Sequence, residues 1–137
     1  PRHVVIMGCG QIGATVATTL SEAGHTLHIL DLDPVAFDLL PPGMVAYGQI
    51  VPIVGDGTLE ENLRRASTQD ADIFIAVAGR DATNALAAQI ARHLLQVPRV
   101  ICRIDDPTRK EMYGRLGLIA VSATTLAAEM VLDSTGR

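Results

Sequence analysis

Two glycines, Gly8 and Gly10, lie between an apolar run at 3–7 and a stretch with helical spacing that begins at Gln11, and a third, Gly13, lies in the first turn of that stretch. This order predicts a strand, a tight turn and a helix, with Gly8 in the turn and Gly13 where the helix packs on the strand. Gly10 would let another group approach the backbone closely. Because a helix N-terminus presents free N–H groups and the positive end of the helix dipole, we predict that this loop binds phosphate.

The same succession of apolar run and helical stretch repeats along the chain, which is typical of stacked strand–helix–strand units. Strands are predicted near 3–7, 26–30, 50–54, 72–77, 99–104 and 118–121. Helices are predicted near 11–23, 34–40, 58–66, 81–96, 107–115 and 123–134. We therefore expect an α/β fold, a Rossmann-like doubly wound parallel six-stranded sheet in the order 3-2-1-4-5-6. Its ligand crevice would lie at the carboxyl ends of strands 1 and 4.

Local signals refine the helices. Three aspartates stand where N-caps are expected: Asp33, Asp81 and Asp106. In the predicted helix 81–96, large apolar residues recur at every fourth position and predict a core-facing side: Leu86, Ile90 and Leu94. Five alanines of the same helix would allow it to approach the sheet closely: Ala82, Ala85, Ala87, Ala88 and Ala91. Residues 41–49 begin with two prolines and a glycine and are expected to be irregular.

Length and composition bound the remaining possibilities. The 137 residues fit a single domain, 1–137, without a separate substrate domain. Since the first residue is Pro, we take the chain as part of a longer polypeptide, with removal of the initiator Met as the alternative. A net charge of −4 argues against nucleic-acid binding. The apolar stretch 118–132 is interrupted by polar residues and is too short to span a membrane.

Asp31 is the next candidate site residue, because it ends the second predicted strand and follows Gly13 by 31 − 13 = 18 residues. An acid at about this distance, roughly 20 residues, binds the ribose hydroxyls in dinucleotide-binding folds. Its charge would repel a 2′-phosphate, and Leu32 offers no arginine to attract one, so NADP is disfavoured. The alternative is a solvated acid at a strand end.

Further candidates follow the third, fourth and fifth strands. Asp56, Gly57 and Thr58 would reach the adenine side of the crevice, or else Asp56 or Thr58 would cap the next helix. The small residues Ala78 and Gly79 would let the backbone approach a nucleotide, or would simply form a tight turn. Arg103 is charged within an apolar strand and needs a partner, either a ligand phosphate or a neighbouring aspartate.

The sequence contains none of the residue patterns that would indicate a catalytic site in this fold. Neither tyrosine has a lysine four residues later, and four histidines stand away from the predicted crevice: His3, His25, His28 and His93. Cys9 and Cys102 are in no C-x-x-C pair, so no zinc site or disulfide is expected. Cys9 lies at a helix N-terminus, which lowers thiol pKa values, so redox sensitivity is a minor alternative.

Taken together, these segments resemble the RCK N-lobe, or TrkA-N domain, of potassium channels, transporters and their regulators. The resemblance extends over nearly the whole chain. It is carried by the strand and glycine loop, the strand ending in Asp31, a Gly-Asp-Gly-Thr motif, an Asp-x-x-Asn motif and the arginine of the fifth strand: 3–13, 27–33, 54–58, 71–77, 81–84 and 101–104.

The resemblance implies a regulatory domain that senses NAD or NADH, or ATP, ADP or AMP, rather than an enzyme. It also implies dimers or a ring assembled with a membrane potassium channel or transporter subunit at the cytoplasmic face of the inner membrane. The implied nucleotide contacts are Gly8, Cys9, Gly10, Gln11, Ile12, Gly13, Asp31, Leu32, Asp56, Gly57, Thr58, Ala78, Gly79, Asn84 and Arg103. Some triphosphate-sensing relatives have Arg where this chain has Gln11, which favours NAD(H) or a shorter nucleotide.

Two other functions remain open from the sequence. The same loop and acid would serve the cofactor half of an NAD-dependent oxidoreductase, and an α/β scaffold without ligand is also possible. In the last predicted helix, Leu126, Met130 and Val131 either form a dimer surface or pack on the domain's own sheet.

Overall fold

The computed structural model describes residues 2–136 and has one six-stranded parallel sheet at its centre. The strands are β1 (His3–Met7), β2 (Thr26–Asp31), β3 (Ile50–Val54), β4 (Ile73–Ala76), β5 (Arg99–Arg103) and β6 (Ile119–Val121). Their order is β3-β2-β1-β4-β5-β6, and every neighbouring pair is parallel. The predicted Rossmann-like fold and strand order are confirmed.

Helices cover both faces of this sheet, because successive side chains of a strand point to opposite sides. Val4 and Ile6 of β1 face one core with the first helix, while Val5 and Met7 face the other. The α-helices are α1 (Gln11–Glu22), α2 (Pro42–Ala46), α3 (Glu60–Arg65), α4 (Asp81–Gln89), α5 (Pro107–Arg115) and α6 (Ala123–Ser134). Short 3-10 segments span Pro34–Leu39 and Thr68–Asp70.

The crossover between β2 and β3 differs from the prediction. The expected α-helix at 34–40 is the 3-10 segment Pro34–Leu39, and the expected irregular stretch contains α2. Asp33 caps the 3-10 segment as predicted, accepting a hydrogen bond from Val35 N at 3.0 Å. The prolines at the first positions of both segments explain the two separate starts, since proline fits the first helical turn but not the interior.

The position of the helix predicted at 81–96 is confirmed, but the prediction that its large apolar residues face the core is wrong for two of the three. It runs as α4 and continues as a π-helical turn, Ile90–Leu94. Leu86 and Leu94 are 48% and 60% exposed, and only Ile90 packs partly against the core. Of the alanines expected to allow close approach to the sheet, Ala82 is exposed, and the others are buried as predicted: Ala85, Ala87, Ala88 and Ala91. Close approach of the helix to the sheet leaves room for methyl groups, which decides against the larger side chains.

The final helix, α6, has no buried residue among those described. Its apolar side chains Leu126, Met130 and Val131 are 55%, 72% and 65% exposed, so the alternative that they pack on the domain's own sheet is wrong. Ser122 caps the helix by accepting a hydrogen bond from Thr125 N at 3.0 Å. None of the helices within residues 2–136 has the length and apolar character of a membrane span.

Candidate functional site

The glycine loop lies at the carboxyl ends of β1 and β4, where the strand order reverses. Gly8 has a φ of +106°, which L-residues rarely adopt, and a Cβ there would stand 2.7 Å from Ala78 N. A Cβ on Gly13 would collide with the carbonyl oxygen of Gly8. Glycine is therefore required at both positions by the turn and by the close packing of α1 on the loop.

Two adjoining cavities open above this loop and share Gly8, Asp31 and Ala78. The larger, of about 460 Å³, is lined by Gly8, Gly10, Gln11, Ile12, Asp31, Val77, Ala78, Gly79 and Arg103. The smaller, of about 90 Å³, is lined by Met7, Gly8, Leu30, Asp31, Leu32, Gly55, Asp56, Gly57, Ala78 and Thr83. We call the two together the crevice.

The crevice brings together most of the predicted site residues, although they come from five separate segments of sequence. Cys9, Gly13, Thr58 and Asn84 do not line it. Conversely, five residues line it that were not predicted as contacts: Met7, Leu30, Gly55, Val77 and Thr83. Gly55 and Thr83 lie inside the Gly-Asp-Gly-Thr and Asp-x-x-Asn motifs, so those motifs were the available signal.

Asp31 is fixed at the rim of the crevice by backbone donors from both sides. Its Oδ2 accepts a hydrogen bond from Cys9 N at 2.8 Å, and its Oδ1 accepts one from Asp33 N at 2.9 Å. Because each carboxylate oxygen has two lone pairs, both oxygens can still accept from a ligand. The carboxylate is thus oriented while keeping capacity for hydroxyl groups.

Asp56 and Thr58 form a closed local turn rather than a helix cap. Asp56 Oδ1 accepts hydrogen bonds from Thr58 N at 2.9 Å and from Thr58 Oγ1 at 2.6 Å. These bonds hold the pKa of Asp56 below its usual value. Helix α3 begins only at Glu60, with Leu59 at the cap position, so the capping alternative for both residues is wrong. The turn instead presents Asp56 to the crevice.

Asn84 lies beneath the crevice floor and is fully buried. Its Oδ1 accepts a hydrogen bond from Ala78 N at 2.8 Å, and its Nδ2 donates to Ala78 O at 2.9 Å and to Arg103 O at 3.0 Å. The amide therefore joins the ends of β4 and β5. Its structural contribution is to position the backbone that borders the crevice.

Arg103 pairs with Asp105 at the far end of the crevice. Its Nε and Nη2 donate to Asp105 Oδ2 at 3.1 and 2.9 Å. The Arg103 guanidinium, as the largest influence, lowers the pKa of Asp105.

Asp81 was predicted as a helix cap, but the cap position of α4 is Arg80. The Asp81 carboxylate instead accepts hydrogen bonds from Asp105 N and Asp106 N. Asp106 caps α5 as predicted, accepting from Thr108 N at 2.9 Å.

The Cys9 side chain points into the core, not into the crevice, and is fully buried. Burial, with a smaller effect of the nearby Asp31 carboxylate, raises the pKa of its thiol to about 11. The suggested lowering by the helix N-terminus is therefore wrong, because loss of solvation outweighs the dipole. Burial also raises the pKa of Cys102 to about 11, followed by the effect of Asp81. Both thiols are protonated at neutral pH.

Two histidines form a pair at the opposite end of the sheet from the crevice. His3 Nε2 and His28 Nδ1 are 2.9 Å apart, with the rings edge to face. Burial, and then the proximity of His3, lowers the pKa of His28. Among the described residues, no group of three or more His, Cys, Asp or Glu side chains is placed to hold a metal ion.

Residues 4–124 match the family model of the TrkA-N domain. The chain belongs to the TrkA-N family. The Trk system potassium uptake protein TrkA of Streptomyces coelicolor is 39% identical over 130 residues, covering 95% of this chain and 56% of that protein. The TrkA homologue of Pyrococcus abyssi is 34% identical over 111 residues, covering 81% and 47%. This TrkA-N chain thus spans about half the length of these relatives.

Solved structures share the fold at lower identity. The TrkA-N domain of the inner membrane protein ybaL from Escherichia coli has a TM-score of 0.82 and 16% identity, covering 96% of this chain and 95% of its own. The GsuK channel bound to NAD has a TM-score of 0.70 and 20% identity, covering 88% of this chain and 21% of its own. The AMP-bound Kef C-terminal domain of Shewanella denitrificans has a TM-score of 0.72 and 21% identity, covering 98% of this chain and 82% of its own. GsuK has also been solved with ADP.

Proposed function

We propose that this TrkA-N domain binds an adenine nucleotide, NAD or NADH foremost, and that nucleotide occupancy regulates potassium transport. The observation that carries the proposal is the crevice itself. A glycine-rich loop, an oriented carboxylate and the arginine at the end of β5 all line the larger of its two adjoining cavities. A regulatory ligand acts by binding two states of a protein with different affinity, and no chemical step is required.

The phosphate site would be the start of α1. The first intrahelical bond runs from Ala14 N to Gly10 O, so the N–H groups of residues 11–13 precede it. The first turn of α1 contains no acidic residue. These N–H groups and the helix dipole favour an anion locally, even though the chain carries a net charge of −4.

The ribose and adenine would occupy the side of the crevice near β2 and β3. The free acceptor capacity of Asp31 suits the two ribose hydroxyls, and Leu32, 69% exposed beside it, adds no positive charge for a 2′-phosphate. Gly57 and Ala78 border the smaller cavity. Gln11 at the loop lacks the charge that would balance a third phosphate, which favours NAD(H), ADP or AMP over ATP.

The link to potassium transport rests on the relatives, whose names describe potassium uptake proteins and a channel. We propose that this chain serves a membrane potassium channel or transporter from the cytoplasmic face of the inner membrane, as part of a longer regulatory protein. The exposed apolar side of α6 would form a homodimer or ring contact. The proposed role is regulatory and includes no catalytic step.

Calorimetric titration of the nucleotide-free chain tests this function. We expect NAD, NADH, ADP and AMP to bind, and NADP to bind at least about tenfold more weakly than NAD because of repulsion by Asp31. Asp31→Asn should weaken NAD binding by about 10–100-fold, which corresponds to the loss of a hydrogen bond to a charged group. It should also reduce the preference of the domain for NAD over NADP. Asp33→Asn is the matched control, because Asp33 caps the next segment outside the crevice.

The proposal fails if none of these nucleotides binds the wild-type chain. If NAD binds but Asp31→Asn leaves its affinity unchanged, Asp31 does not hold the ribose.

A further inference from the structure

Helix α6 is held to the rest of the domain by hydrogen bonds at its first turn. Residues 124–136 are all exposed, so apolar packing does not set the direction of the helix. At its start, Asp105 Oδ1 accepts hydrogen bonds from Ala123 N at 3.1 Å and from Thr124 N at 3.5 Å. Ser122 adds its own cap on Thr125. The orientation of α6 therefore depends on a few polar contacts.

The other oxygen of the same Asp105 carboxylate binds Arg103, which lines the crevice. Oδ2 accepts from Arg103 Nε and Nη2, while Oδ1 holds the first turn of α6. The two side chains are about one-quarter exposed, 25% for Arg103 and 27% for Asp105. A single carboxylate thus connects a residue that lines the crevice to the start of the exposed helix.

Arg103 retains donors for a second acceptor. Among the hydrogen bonds of residues 2–136, its Nη1 takes no part, and the side chain lines the larger cavity together with Gly10 and Gly79. A guanidinium can bind two anions on different edges, because its five N–H groups lie in one plane. A phosphate oxygen could therefore bind the Nη1 edge while Asp105 keeps the other.

The backbone on either side of this pair is already held in place. Asn84 Nδ2 donates to Arg103 O, and Asp81 accepts from Asp105 N at 2.9 Å and Asp106 N at 3.0 Å. What remains adjustable is the side-chain pair, whose geometry depends on what else the guanidinium binds.

We propose that Arg103 and Asp105 couple phosphate binding in the crevice to the stability of the first turn of α6, with Asp105 as the positioning residue. This inference rests on the proposed nucleotide function. A phosphate on Nη1 fixes the guanidinium, the fixed guanidinium orients Asp105, and the oriented carboxylate binds the N–H groups of Ala123 and Thr124 more tightly. Nucleotide occupancy would thereby set the direction of the apolar side of α6.

Hydrogen exchange of single backbone amides, followed by NMR with and without saturating NAD, tests the coupling. In the wild-type chain we expect NAD to slow exchange of the Ala123 and Thr124 amides by about fivefold, since opening this turn then breaks stronger bonds. In Asp105→Asn, which keeps an acceptor for α6 but loses the charge that holds Arg103, the slowing should fall below about twofold. Arg103→Gln should have the same effect while leaving Asp105 intact.

Asp106→Asn is the matched control, because Asp106 stands next in sequence and caps α5 rather than α6. It should retain the full slowing. Calorimetry on each variant sets the saturating NAD concentration and separates two failures. Absence of NAD binding to the wild-type chain overturns the proposed function and this inference with it. Binding without slowing at Ala123 and Thr124, or equal slowing in Asp105→Asn and Arg103→Gln, overturns the coupling alone.

Discussion

Gly10 and Gly13 belong to the same loop but face different surroundings. A Cβ on Gly13 would collide with the Gly8 carbonyl oxygen, whereas a Cβ on Gly10 would meet nothing within 4 Å. Gly10 also has φ −80° and ψ −164°, an extended conformation that alanine adopts without strain. Glycine at position 13 therefore serves the fold, while the open space at position 10 lies where the ligand would approach.

This difference predicts opposite effects of two matched substitutions. Gly10→Ala should unfold at close to the wild-type denaturant midpoint but bind NAD at least about tenfold more weakly, because its methyl group enters the crevice. Gly13→Ala should lower the free energy of unfolding by about 1–3 kcal/mol, because backbone atoms must move. Denaturant unfolding and calorimetry on both variants check this. Unchanged NAD affinity in folded Gly10→Ala would contradict the assigned position of the phosphates.

At the residue scale, the sequence predicts contacts that depend on local spacing and misses those that join distant segments. The glycine loop and Asp31 were predictable because strand, turn and acid follow one another in order. The bonds of Asn84 to Ala78 and Arg103, and of Asp105 to α6, span up to 19 positions. Their partners are determined by strand order, so residue type and local spacing do not identify them.

At the element scale, the large apolar residues of α4 were wrongly assigned to the core by their periodicity, whereas its alanines were correctly expected against the sheet. The leucines at the predicted core positions are largely exposed, and alanines occupy the interface with the sheet. The rule that large apolar residues face inward fails where a helix lies close to a strand, since only small side chains fit. In the β2–β3 crossover, the prolines disrupt helical spacing and leave the sequence pattern too weak to predict α2.

Two substitutions on α4 test this assignment. Ala88 is fully buried, so Ala88→Leu should lower the free energy of unfolding by about 1–3 kcal/mol through overpacking. Leu86 is 48% exposed, so Leu86→Ala should cost less than about 1 kcal/mol. Urea unfolding followed by circular dichroism gives both values. A larger loss for Leu86→Ala than for Ala88→Leu would mean that the buried side is wrongly assigned.

At the scale of the whole molecule, the strand order was predictable because right-handed crossovers between parallel strands leave few alternatives. That order places the ends of β1, β2, β3, β4 and β5 around one crevice and explains why separated motifs lie close together. From the sequence, the apolar residues of α6 could either form a dimer surface or pack on the domain's own sheet. An amphipathic pattern shows that a helix has an apolar side but not which surface covers that side. Its proposed dimer or ring contact depends on how copies of the chain assemble.

The molecule also offers a competing groove, of about 230 Å³, between α1 and the 3-10 segment Pro34–Leu39. Gln11 lines both this groove and the crevice, but Thr15, Thr18, Thr19 and Glu22 line the groove alone. A ligand in the groove would lie along the side of α1, away from the N–H groups at its start. The two locations therefore predict different perturbed amides.

Backbone amide chemical shifts during a titration of the nucleotide-free chain with NAD are the most direct test of the central claim. We predict that the largest changes occur at Gly8, Gly10, Ile12 and Gly79, with further changes at Gly57 on the adenine side. Changes concentrated at Thr15, Thr18 and Thr19, or no changes at saturating NAD, would contradict binding of the nucleotide in the crevice.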